Sequence, residues 1–370
     1  MEMDKKGLKG FKIFILILLV FSLLFLNKNT RNKIMALFNS FMNSEKTLKL
    51  KYTIKDISDV ESVSFYDGNV IKWNTNRVSF LNPDGSIILE KEFNFFNPSI
   101  YYGDKYIYVF DRETGDIYAF DSKGNTVKRY QLNKEIYNIK ESSENLIVHI
   151  KSSDGEVVEV LDKGKVLIGN YIYEGKNVLT YNANDEGTRS LVAILDLNEE
   201  ALKSQVDIYG INNERINTLD FKEEIVIYLD FTHNGDIIVL TDKNLYFISN
   251  GKVMWKKQFD LIKDIYLEKD KINVLYSTYL EIIDFSGRTE KKLNLIEEYN
   301  KMVPFGDYLL LYGNSNMLFI KEGKEVLKST ENINKVFASK NEVLVLSDED
   351  IKIYEFTNRW LIFILSIGKI

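Results

Sequence analysis

The sequence predicts an all-β ring: a β-propeller of eight four-stranded antiparallel blades, with seven as the alternative count, preceded by one N-terminal transmembrane helix. Three observations lead there. A tight turn recurs between two short strand-like runs, at Asp84-Gly85, Lys123-Gly124, Lys163-Gly164, Asn212-Asn213, Asn250-Gly251, Ser286-Gly287 and Glu322-Gly323. The second residues of these pairs lie 39, 40, 49, 38, 36 and 36 positions apart, the period of a propeller blade rather than of a sandwich hairpin. The composition agrees, with 23 Phe, 22 Tyr and only 3 Pro in a chain that is 45% hydrophobic, rich in strand formers and poor in ladder breakers.

The chain divides into five parts. Residues 1–9 are expected as a short cytoplasmic segment, 10–27 as a transmembrane signal-anchor, 28–46 as a juxtamembrane linker, 47–358 as the propeller and 359–370 as an apolar C-terminal segment. Residues 13–26 read IFILILLVFSLLFL with Ser22 as the one polar member, and the run from Leu8 extends to 19 positions. A spanning helix needs about 20. A cleaved signal peptide is the alternative, but NKNTRNKI after Leu26 offers no small-x-small cleavage site. Lys5, Lys6, Lys9 and Lys12 precede the segment and Lys28, Arg31 and Lys33 follow it, so the charge bias is slight and the short N-terminal end is expected in the cytoplasm. The propeller is then extracytoplasmic.

Charge is unevenly distributed. Residues 1–46 carry +5, so the remainder of a chain of net −6 carries −11. An acidic body repels phosphate backbones, which argues against nucleic acid as a partner. The chain contains no cysteine, which excludes disulfides, thiolate metal sites, a cysteine nucleophile and a lipidated cysteine.

Blade by blade, the clearest unit runs over 224–260: EIVIYLDF, the turn His233-Asn234-Gly235, DIIVLT, Asp242-Lys243-Asn244, LYFIS, Asn250-Gly251 and KVMWKKQF. Four strand-like runs split by Gly and Asn turns are what a four-stranded antiparallel blade requires. Comparable units follow from Ile262 and from Tyr299. The unit around 175–221 is longer, with NEEALKSQ (198–205) read as its insertion. TLKLKYTI (47–54) resembles an outer strand without a blade of its own, and is expected to complete a last blade whose other strands come from 333–356, closing the ring. Trp360–Ile370 is expected as a further outer strand of that blade, or else as a tail docking on membrane or partner.

IYAFDSKGNTVKRY (117–130) and LYFISNGKVMWKKQF (245–259) carry a resemblance to the pyrroloquinoline-quinone-like propeller repeat, extending over roughly residues 47–358. Trp255 falls at that family's blade-docking tryptophan, with Tyr130 as the replacement in the other unit. The resemblance implies the fold and not the cofactor, since the family's quinone enzymes use an adjacent cysteine pair, a stacking tryptophan and a calcium site, and this chain has no cysteine. The layout as a whole resembles membrane-anchored propeller proteins of low-GC Gram-positive bacteria.

Chemistry-bearing motifs are sparse. His149 and His233 are the two histidines; the first sits in a strand run and is expected to pack, the second in a turn. Asp111 to Asp116 and Asn184 to Gly187 are acidic Gly-containing turns that could cradle calcium but lack its alternating ligand pattern. No catalytic, cofactor-binding or metal residue is assigned, and no cofactor is expected. The functional expectation is a non-catalytic scaffold that binds an envelope protein or cell-wall polymer. The alternative is a polysaccharide-active lyase or hydrolase using carboxylates of the central channel.

Overall fold

A computed structural model describes residues 46–358 apart from 56, 58, 59, 144, 163 and 198–201. Within them the chain forms eight four-stranded sheets. The first seven are built from consecutive strands, spanning 62–92, 98–131, 136–173, 177–222, 226–258, 262–294 and 301–330 as blades 1 to 7. Blade 8 takes three strands from 335–358 and its outer strand from Lys46–Ile54, which lies beside Ile351–Asn358. Eight blades and the expected closure by the N-terminal strand are therefore both present, and Leu48–Phe356 makes one compact unit.

The residue pattern explains this layering. Second strands such as Ile107–Asp111 and Ile237–Thr241 are buried at every position, because a middle strand is covered on both faces by neighbouring blades and reads as a continuous apolar run. Outer strands such as Lys252–Gln258 are mostly exposed, with half-buried positions at every second residue from Trp255, since one face still meets a neighbour while the other meets water. First strands approach one another most closely between blades, as Asn177–Ala183 does with Val226–Phe231. They form the wall of the axis.

All seven recurrent turns join the third strand of a blade to its outer strand. In several of them the turn residue rests on an outer-strand side chain of the preceding blade. A Cβ built at Gly85 would stand 3.2 Å from Ile54, one at Gly124 2.8 Å from Leu89, one at Gly251 2.6 Å from Asn217 and one at Gly287 3.1 Å from Trp255. The repeat is thus a record of blade docking as well as of turning. Tyr130 is not the counterpart of Trp255: Trp255 pairs with Phe247, the fourth residue of its neighbouring strand, and the residue so placed in blade 2 is Lys128, opposite Ala119. Tyr130 lies two residues further along, on the same face, and packs into the core between blades 2 and 3.

The long unit is also built differently from expectation. Lys203–Tyr209 is a strand, so KSQ belongs to the blade and the connection is confined to 197–202. The remaining extra length is spread over strands of 7 or 8 residues in blades 3 and 4. The expected membrane segment, most of the juxtamembrane linker and Trp360–Ile370 lie outside the described residues. Among those described, no helix is long and apolar enough to cross a membrane.

Candidate functional site

Antiparallel order gives the ring two unlike sides. Each blade starts and ends on one side, which carries the linkers to the next blade and the connections between second and third strands. The other side carries the hairpin turns. In blade 8 the end of Ile351–Asn358 and the start of Lys46–Ile54 stand where the outer hairpin turn would be, and the Lys46 ammonium donates to the Asn358 side chain at 2.5 Å. Leu48 and Phe356, the two ends of the compact unit, therefore both lie on its turn side.

Exposed apolar residues gather on the opposite, linker side. Among the described residues, five of the six large apolar side chains exposed in connections are there: Phe96, Leu197, Leu202, Leu261 and Ile296, with Val166 alone on the turn side. Phe96, Leu261 and Ile296 are 78%, 77% and 86% exposed, which single surface residues tolerate but which no folding requirement produces. Ile227, near the linker-side start of the blade 5 inner strand, is also exposed. Blades 5 to 7 thus present Ile227, Leu261 and Ile296 on one sector of the linker side.

These residues are held, not loose. Buried Asp111 accepts hydrogen bonds from the Phe96 and Asn97 amides at 3.2 and 2.9 Å, from the Glu113 amide at 3.1 Å and from the Thr114 hydroxyl at 3.1 Å. Burial pushes its carboxyl up, but these donors outweigh burial and hold it below the usual range. Its oxygens are thereby committed to shaping the linker that displays Phe96. Leu261 adopts φ 53°, a left-handed conformation that is unfavourable for a branched side chain, and its carbonyl is fixed by the Ser277 amide at 3.0 Å. Strain of this kind persists where the surroundings over-determine it, often at working surfaces.

The axis contains the polar groups that matter for any catalytic reading. Asp230, on the inner strand of blade 5, accepts from the Asn182 amide group of blade 4 at 2.6 Å, from the Phe231 amide at 2.8 Å and from the Tyr228 hydroxyl at 2.7 Å. Burial raises its carboxyl above the ordinary range despite these donors. Lys140, on the inner strand of blade 3, donates to the Tyr181 carbonyl at 3.2 Å, and burial lowers its ammonium. Asp264 on blade 6 accepts the Met302 amide of blade 7 at 2.8 Å. Each of these groups welds one inner strand to the next.

The histidines lie apart, on blades 3 and 5. His149 packs between Tyr137 and Tyr181, with ring centroids at 4.9 and 5.7 Å, and its Nε2 is 2.9 Å from Glu156. Burial lowers its pKa in spite of that carboxylate. His233 is exposed in a turn whose side-chain bond comes from the Thr232 hydroxyl, which accepts the Asp236 amide at 3.1 Å. The Asn184 side chain accepts the Arg189 amide at 2.8 Å and donates to Glu186 and Thr188, closing its own hairpin. Among the described residues no group of three or more His, Asp or Glu is placed to hold a metal ion. The exposed apolar residues of the linker side were missed in sequence because Phe96, Leu261 and Ile296 each sit beside strand-like runs and look like core.

The fold is shared widely among solved structures. The chain is similar to BamB from Moraxella catarrhalis, at 11% identity and TM-score 0.55, covering 84% of this chain and 100% of that one. It is likewise similar to Sqt1 from Saccharomyces cerevisiae, at 10% identity and TM-score 0.60, with 85% and 100% covered. The C-terminal WD40 domain of Sif2 matches at 10% identity and TM-score 0.60, with 85% and 99% covered. At such identities the likeness establishes the propeller alone. No curated protein sequence matches the chain. A family model does match residues 41–356, and the chain accordingly belongs to the Family of unknown function (DUF5711).

Proposed function

We propose that this protein is a single-pass membrane protein whose ring stands outside the cytoplasm and docks an envelope protein on the linker side of blades 5 to 7, without performing catalysis. The observation that carries the reading is the exposure of Leu261 and Ile296, at 77% and 86%, on the side opposite the one that holds Leu48 and Phe356. Apolar side chains displayed on a rigid frame are the kind of feature that supplies binding hot spots. The apolar run at 13–26 and the −11 body fit an anchor and a soluble ring.

A lyase or hydrolase using axial carboxylates has less to stand on. The oxygens of Asp230 are taken up by Asn182, Phe231 and Tyr228, and Asp264 is bonded to the Met302 amide. The resemblance to quinone-type propellers extends, in this reading, to blade docking at Trp255 and not to chemistry.

The test is co-purification of the full chain from its own membranes after mild crosslinking, comparing it with the Leu261→Asp/Ile296→Asp double variant. Loss of a defined companion with an unchanged melting temperature is expected. Retention of the same companion by the variant would place the interface elsewhere.

A further inference from the structure

A groove of about 620 Å³ lies on the turn side, between blades 6 and 7. Its volume falls within the roughly 300–1,000 Å³ of ordinary ligand sites. Blade 7 turns beside it on Gly306-Asp307, and a Cβ built at Gly306 would meet nothing within 4 Å. The floor is apolar, formed by Leu267, Ile282, Leu309 and Ile320. Tyr266 and Tyr308 stand at its walls, both half-buried.

The polar groups around this floor are mixed in sign. Glu268, Glu290, Asp307 and Glu322 line it together with Lys269, Lys271 and Lys291, so no strong net charge selects an anion or a cation. Glu268 is oriented from below by Asn273, which is 1% exposed and donates to it at 2.8 Å. Lys271 reaches toward Glu290 at 3.7 Å. Lys291 donates to the Gly323 carbonyl at 3.4 Å, pinning the far wall.

We propose that this groove binds a neutral oligosaccharide. A sugar ring offers an apolar face of C–H groups to Tyr266 and the aliphatic side chains, and a rim of hydroxyls that both donate to carboxylates and accept from ammonium groups. A groove with apolar lining, a tyrosine and charges of both signs satisfies both demands together. Most of the lining comes from the first three strands of blades 6 and 7, which are paired along their lengths, and the outer strand of blade 6 contributes only Glu290 and Lys291, so the groove offers little free strand edge to the backbone of an extended peptide. The site is independent of the linker-side interface.

The experiment uses the full chain in amphipol, free of sugar detergents, with chitohexaose, cellohexaose and maltohexaose as probes in ligand-observed NMR and calorimetry. At least one hexasaccharide is expected to bind with a Kd of about 1 mM or tighter. Tyr266→Ala and, separately, the isosteric Glu268→Gln are each expected to weaken that binding about tenfold, a loss of about 1.4 kcal/mol. No binding of any probe at about 10 mM would overturn the proposal. So would binding that both variants leave unchanged, because the saccharide would then sit elsewhere.

Discussion

The indole of Trp255 in blade 5 lies against Gly287 in blade 6: a Cβ at residue 287 would stand 3.1 Å from the ring, whose Nε1 donates to the Phe285 carbonyl at 2.9 Å. One side chain thus packs on and hydrogen-bonds to the next blade's turn. Gly287 also has φ 86°, which a Cβ disfavours by about 1–2 kcal/mol before any clash. Gly287→Ala is therefore expected to destabilise the ring by about 2 kcal/mol or more, and Trp255→Ala by about 3 kcal/mol. Urea unfolding of both variants, and of the double variant to expose their coupling, checks this.

The ring is closed by Lys46–Ile54, whose Leu48 packs with Phe305, Phe319, Tyr354 and Phe356. Leu48→Asp would place a charge in that cluster and loosen the strand that covers the edge of Ile351–Asn358. A loss of roughly 2–4 kcal/mol is expected, together with self-association through the bared edge. Light scattering alongside thermal unfolding separates this from simple destabilisation, which would leave the protein monomeric.

Two buried carboxylates should respond to pH in opposite directions. Burial pushes Glu224 up, but the Thr241 and Tyr246 hydroxyls and the Asn244 side chain, at 2.5, 2.8 and 2.9 Å, bring it below the ordinary glutamate value of 4.5. A group whose folded pKa is lowered contributes stability above its unfolded pKa and loses it as pH falls through the folded one. Glu224→Gln should therefore cost about 2 kcal/mol at pH 7, with the deficit shrinking below pH 4.5. Asp230 is raised by burial, so its ionisation weakens the fold as pH rises. Asp230→Asn should stay within about 1 kcal/mol of wild type at pH 7 and fall behind only in acid. Melting curves from pH 3 to pH 8 decide both.

Leu261 carries backbone strain that glycine would relieve. With φ at 53°, Leu261→Gly is expected to raise stability by about 0.5–1 kcal/mol while weakening the proposed interface. A variant that melts higher yet binds its partner less well is the expected pairing. A lower melting temperature would mean that Leu261 is held by packing rather than displayed against strain.

The ring was legible in sequence because its turns repeat: positive-φ glycines at residues 85, 124, 251, 287 and 323 mark five of the seven third-to-fourth strand hairpins, and Asn212 and Asn213 take the same left-handed conformation in blade 4. The closure was legible for a related reason, as TLKLKYTI has the alternation of an outer strand with no turn before it. Docking was not, apart from Trp255. Ile54, Leu89, Asn217 and Lys291 share no chemistry, because each needs only to fill the space beneath a turn. Nor were the working surfaces legible, since Leu261 and Ile296 differ from core residues only in facing the side of the ring that no blade covers.

The absence of cysteine from the chain allows single-cysteine variants in an otherwise silent background, labelled by a membrane-impermeant maleimide on intact cells. Asn234→Cys lies in an exposed turn-side hairpin and Leu261→Cys on the linker side. The account predicts that Asn234→Cys labels without lysis, and that Leu261→Cys labels fully in purified protein but is protected on cells by its partner. Labelling of Asn234→Cys only after lysis would contradict the extracytoplasmic ring, and equal labelling of Leu261→Cys in both settings would contradict an occupied linker side.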